Sequence, residues 1–213
     1  WAMDVARFGD WATPDWGTIK STENYERRFV MTFPNETLPQ GRLQKTTSLY
    51  DRLIAKGARM DQSFGLEHAL WFADDQNDAW EDPSFDRNRS HDYVAREVKA
   101  VRENVGGIEI ANFAKHEFKG TGARKYLDQI LAGFVPKVGR LSLTPMLTPK
   151  GKLYGDLTVA CIEEHYFIVF GSGAMQEAHR RWFEKSLPKN VFYKNVSDDW
   201  HGIAISGPKS RHL

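Results

Sequence analysis

The chain has 213 residues, 41% hydrophobic and 27% charged, enough to bury the core of one large or two small domains. Its formal net charge of +1 implies neither a nucleic-acid footprint nor attraction to an anionic membrane, and no apolar run approaches the ~18 residues of a membrane helix. The single cysteine, Cys161, excludes an intrachain disulfide framework and, within an apolar strand pattern, reads as a small buried hydrophobe.

Residues 1–22 are rich in Trp, Gly, Asp and Pro with little periodicity, which predicts a connector. A short helix is expected over residues 24–28 with Thr22 as its cap. Trp1, Trp11 and Trp16 are expected to dock on a neighbouring domain, because three large rings in an unstructured connector would otherwise stay exposed. The start at Trp1, without a secretory pattern, and the SGPKSRHL end, broken off at a Gly-Pro turn, read as the interior of a longer polypeptide. Ser48 is placed to cap a helix over residues 49–54 that Gly57 closes, and the acidic, Pro-containing segment 74–90 predicts an exposed loop. Ser90 then opens a helix in which Val94, Val98, Val101 and Val105 share a face, ended at Gly106-Gly107.

From there the pattern alternates. Strands are expected at residues 108–110 and 116–118, a helix at 122–131, a hairpin at 141–159, a buried strand at 166–170, a helix at 174–187, and strands at 191–196 and 202–206. Helices punctuating short antiparallel strands predict an α+β fold, with antiparallel or mixed sheets and helices packed on them, rather than a doubly wound parallel sheet.

Within the hairpin, alternation puts Leu153, Gly155, Leu157 and Val159 on one face and Tyr154, Asp156, Thr158 and Ala160 on the other. A carboxylate inside such a strand belongs on a wet face or in a site, since burial without a partner costs several kcal/mol or forces protonation. The seven histidines show no metal-binding spacing, so no metal is expected. Glu67-His68 reads as a satisfied surface pair, and Gly171–Ala174 as a turn, because no further glycine completes a phosphate-binding fingerprint.

The segment TPMLTPKGKLYGDLTV resembles the folate-site hairpin of the glycine cleavage T-protein (aminomethyltransferase) family. TTSLYDRLIAKGARMDQSFGLEHALWF is similar to the opening segment of that family, and GGIEIANFAKHEFKGTGARKYLDQIL to its next strand-strand-helix unit. DVARFGDWA and ENYERRFVMTFPNETLPQGR resemble the junction between the flavin and folate domains of dimethylglycine and sarcosine dehydrogenases or oxidases. The resemblance implies that residues 1–45 connect to a flavin oxidoreductase domain and that residues 46–213 are the first part of a T-protein-like folate-binding domain, incomplete at both ends. It implies an enzyme that oxidises an N-methyl amine with FAD held in the upstream domain and passes the one-carbon unit to tetrahydrofolate; the isolated piece is expected to be inactive.

By the same resemblance Asp156 is the catalytic residue, beside the folate nitrogens that carry the one-carbon unit. A fixed carboxylate there can orient an amine or imine, stabilise developing positive charge and relay a proton. Phe113, Leu143, Phe167, Val169 and Gly171 match pterin-lining positions; taken singly each reads as core, and as a set they could sandwich a flat ring. The chain departs from the family pattern at Gly155, where an Asp-Asp pair is usual, and at Gly171, where an Asn is usual. The implied partners are a small-molecule substrate and the flavin domain, with no nucleic acid or membrane. The implied location is cytoplasmic, or the mitochondrial matrix in a eukaryote. Two alternatives stay open: a stand-alone aminomethyltransferase, which should begin near Thr46, and a non-catalytic folate-binding module, which would not need Asp156.

Overall fold

Thr13 Oγ1 accepts the Trp16 N–H at 3.2 Å and Pro14 follows it, so the first helix, α1, runs over Pro14–Glu26. In the computed structural model, which describes residues 5–213, the helix thus opens well before the expected segment 24–28, and Thr22 lies inside it. Periodicity missed it because α1 carries almost no amphipathic stripe. There follow α2 (Tyr50–Ala55), β1 (Ala58–Ser63), β2 (Leu66–Phe72), α3 (Ser90–Glu103), β3 (Gly106–Glu109) and β4 (Phe113–Lys119). Then come α4 (Ala123–Ile130), β5 (Leu141–Leu147), β6 (Leu153–Glu163), β7 (Tyr166–Ser172), α5 (Gln176–Lys185), β8 (Phe192–Asn195) and β9 (Ile203–Ser206). These elements fall into two units, one of residues 5–9 with Ala111–His201 and the other of Asp10–Ile110 with Gly202–Leu213.

The second unit is built from two antiparallel ladders and three helices. β1 and β2 form a hairpin that the sequence pattern did not reveal, closed by Phe64 and Gly65 with φ of 51° and 81°, the left-handed pair that a two-residue turn requires. Gly65 is needed for space as well, since a Cβ there would lie 2.5 Å from Trp11 Cδ2. Trp11 in turn meets Trp16 edge-on at 4.9 Å, so these two rings, both half-buried, pack on each other within this unit; Trp1 lies outside the described residues. Leu49, rather than Ser48, is the N-cap residue of α2, and its amide donates to Thr47 Oγ1 at 3.3 Å. Glu67 is fully buried rather than part of a surface pair. It accepts Arg42 Nε at 2.7 Å and the Leu43 N–H at 3.1 Å, and Arg42 Nη2 bonds its other oxygen. Removing one member of such a buried pair costs about 3–5 kcal/mol, because the other is left uncompensated. α3 packs on β2 through Trp71, stacked on Tyr93 at 5.2 Å, and through Glu97, which accepts the Phe72 N–H at 2.9 Å. β3 pairs with β9 in the second ladder.

The first unit holds a five-stranded antiparallel sheet in the order β5-β6-β7-β4-β8. Pro145, with no N–H to give, sits in β5, which is an edge strand as that chemistry requires. One face of the sheet, carrying Phe118, Met146, Leu157, Val159, Cys161, Phe167 and Val169, packs against Tyr126 and Leu127 of α4 and Phe183 of α5. Burial of each large side chain contributes roughly 1.5–3 kcal/mol, and the Tyr126 hydroxyl keeps a partner by donating to the Phe183 carbonyl at 2.7 Å. The α+β architecture with antiparallel strands and helices on the sheet is the one expected from the sequence.

Candidate functional site

Register fixes where each candidate residue points. Thr158 pairs with Leu143 on one side and Phe170 on the other, and Phe170 pairs with Lys115, so these four share the sheet face opposite α4 and α5. Asp156 precedes Thr158 by two residues and Phe113 precedes Lys115 by two, which puts both on the same face. Asp156 is exposed, opposite Pro145, and has no hydrogen-bond or ion-pair partner among the described residues. Among the apolar side chains on this face, Phe113 is 48% and Leu143 69% exposed. A lone carboxylate on an exposed apolar sheet face is available to a ligand rather than committed to the fold.

The other candidates lie behind it. Phe167 pairs with Cys161 and Val169 with Val159, on the helix-packed face, and both are 0% exposed within the core. They support the site strand and do not line the surface that Asp156 faces, so the set cannot sandwich one ring. Gly171 belongs to the same inner face: a Cβ there would lie 2.9 Å from Leu157 Cδ2 and 3.2 Å from His179 Nδ1. Gly155 backs onto the same residue, its Cβ position lying 2.9 Å from His179 Nε2. The two departures from the family pattern therefore border one imidazole, which takes the room that side chains at 155 and 171 would need.

That imidazole belongs to a buried pair that the sequence reading missed. His179 donates from Nε2 to the Tyr154 carbonyl at 3.1 Å, one residue ahead of Gly155-Asp156. His116 Nδ1 bonds the Tyr193 hydroxyl at 2.8 Å, and its ring meets Phe183 edge-on at 5.0 Å and lies 6.3 Å from that of His179. Burial pushes His116 down to about 3, with repulsion from His179 adding to it, and burial lowers His179 as well. Both rings are neutral at pH 7, so the pair braces the Asp156 strand without carrying charge. A signal did exist: His179 and Phe183 stand four apart on the buried stripe of α5. Lys115 and Phe170 were missed too, and only the register places them beside Phe113 and Thr158.

Among the described residues no group of three His, Cys, Asp or Glu could hold a metal, and no helix is long and apolar enough to cross a membrane.

Residues 49–213 match the family model described as GCVT N-terminal domain, and residues 1–47 match the FAD dependent oxidoreductase central domain. The chain belongs to the GCVT N-terminal domain family. It is 33% identical to human mitochondrial dimethylglycine dehydrogenase over 99% of its own length and 25% of that protein. It is 27% identical to the mitochondrial pyruvate dehydrogenase phosphatase regulatory subunit of Mus musculus, over 99% of its length and again 25% of that protein. The chain thus spans about a quarter of the length of these relatives. In fold it is similar to the glycine cleavage system aminomethyltransferase T of Bartonella henselae, with a TM-score of 0.65 at 18% identity over 79% of this chain and 42% of that one.

Proposed function

We propose that this chain is the folate-binding portion of a flavin-dependent N-methyl amine dehydrogenase or oxidase, of the dimethylglycine or sarcosine type, that transfers the one-carbon unit to tetrahydrofolate. The observation that carries this reading is the succession, in one chain, of an oxidoreductase central-domain match and a GCVT match. A stand-alone aminomethyltransferase gives no account of the first 47 residues. In this reading residues 1–45 connect to the flavin domain and residues 46–213 begin the folate-binding domain, in the cytoplasm or the mitochondrial matrix. Bound FAD, in the upstream domain, supplies the two-electron acceptor for the amine.

Asp156 serves as the catalytic carboxylate. It orients the nitrogen that receives the one-carbon unit, stabilises positive charge as it develops and relays a proton. Phe113 and Leu143 cover one side of the pterin, for which an aromatic contact contributes about 0.5–1.5 kcal/mol beyond its area. Phe167, Val169 and Gly171 hold the strands from behind. The residues present fit a folate on one side: a free carboxylate set among exposed apolar side chains.

The test uses the full-length polypeptide that contains this chain, turning over dimethylglycine or sarcosine. With saturating tetrahydrofolate the product is methylenetetrahydrofolate, and without it formaldehyde is released. Formaldehyde release that tetrahydrofolate leaves unchanged would exclude one-carbon capture. The match, over 99% of this chain, to a protein named as a regulatory subunit favours a second reading, a non-catalytic module, under which neither amine is consumed.

A further inference from the structure

Lys115 is an ammonium where packing alone would favour an apolar side chain. It is 3% exposed, in the middle strand of the β7-β4-β8 ladder, with Phe170 beside it. Its Nζ donates to the Ala111 carbonyl at 3.2 Å and to the Phe113 carbonyl at 2.8 Å, gathering the turn that leads into β4. Its own backbone is held as firmly: the Lys115 N–H donates to Ser197 Oγ at 2.8 Å, and its carbonyl accepts the Val196 N–H at 2.9 Å. The carbonyl of Asn112, between the two that Nζ binds, is fixed by close approach to Gly173, where a Cβ would stand 2.0 Å away. A buried cation is costly to desolvate, and here the bonds just described go to the backbone that carries Phe113. The Phe113 ring itself is half-exposed, so the direction of its Cα–Cβ bond is set by that turn.

We propose that Lys115 is a positioning residue of the folate face, its ammonium holding the 111–113 turn so that Phe113 stands on the Asp156 side ready to cover a pterin. This rests on the folate reading above. Methionine keeps the unbranched stem of lysine and lacks the terminal ammonium, so Lys115→Met frees the two carbonyls and lets the turn rotate; arginine restores a cationic donor.

The experiment is a double-mutant cycle in the full-length polypeptide, read as the dissociation constant for 5-formyltetrahydrofolate, a folate that cannot accept the one-carbon unit. Lys115→Met is expected to weaken binding roughly tenfold, as loss of a charge-assisted hydrogen bond would. Phe113→Ala should weaken it similarly, and the double variant should be no worse than either single one, because both act through one ring. Lys115→Arg should recover most of the loss, with circular dichroism unchanged throughout. If Lys115→Met does not fold, Lys115→Gln, which keeps a neutral donor, carries the same cycle. Additive losses, or unchanged affinity in the Lys115 variant, would overturn the positioning role. If instead Phe113→Ala leaves the affinity unchanged, Phe113 does not cover the folate and the positioning role fails, whereas the folate reading itself fails only if the wild type does not bind 5-formyltetrahydrofolate.

Discussion

Replacing Asp156 by asparagine is expected to reduce one-carbon transfer to tetrahydrofolate by about 10²–10⁴-fold, the range for loss of one acid-base group. Under the proposed function, oxidation of the amine by the flavin should be almost untouched, since that reading places the chemistry in another part of the polypeptide. Asparagine keeps the size and the strand position of the residue. Asp156 is exposed and unpaired, so the change breaks no internal contact and the fold should not suffer. The result to look for is a split, with amine consumption maintained while formaldehyde replaces methylenetetrahydrofolate as the product. Equal damage to both half-reactions, or to neither, would contradict the role. The neighbouring position sharpens the expectation, because Gly155 faces His179 inside the core and no second carboxylate can assist from there.

Acid should loosen the sheet unit well before it protonates the buried histidines. His116 titrates at about 3 in the folded state, against an ordinary value near 6.5 once unfolding exposes it. Because the folded value is the lower one, the unfolded chain takes up the proton first. Stability is complete above about pH 6.5 and is lost as pH falls toward 3, at about 1.4 kcal/mol per pH unit from this one group. His179 is shifted in the same direction and steepens the loss. Between pH 6.5 and 4.5, hydrogen-exchange protection of the β4 and α5 amides, corrected for intrinsic rates, should therefore fall about 100-fold or more. In His116→Gln the decline should be shallower, although the variant starts less stable. A decline identical in the wild type and in this variant would show that the pair does not set the acid sensitivity.

What the sequence could and could not reveal follows from where its patterns carry parity. Strict alternation from Gly155 to Val159 is enough to put Asp156 on the face opposite Leu157, and the structure has it so. Phe167-Ile168-Val169-Phe170 carries no such parity. The run is apolar throughout, and Ile168 on the Asp156 side is as buried as Phe167 and Val169, so only the register with β6 tells which residues look toward Asp156. That is why Phe167 and Val169 could be matched to a pterin pocket and yet prove to be core. The β1–β2 hairpin was hidden for a different reason: β1 carries Arg59, Asp61 and Gln62 among few apolar residues, and Phe64-Gly65 is not a common turn pair. The buried ion pair of Glu67 with Arg42 joins residues 25 apart and leaves no local trace.

The most direct measurement is a crystal structure of the full-length polypeptide with 5-formyltetrahydrofolate bound. The account predicts the pteridine against Phe113 and Leu143, with one of its nitrogens within hydrogen-bond reach of an Asp156 carboxylate oxygen and Phe167 and Val169 untouched behind the sheet. A folate seated elsewhere, with Asp156, Phe113 and Leu143 all clear of it, would contradict the account.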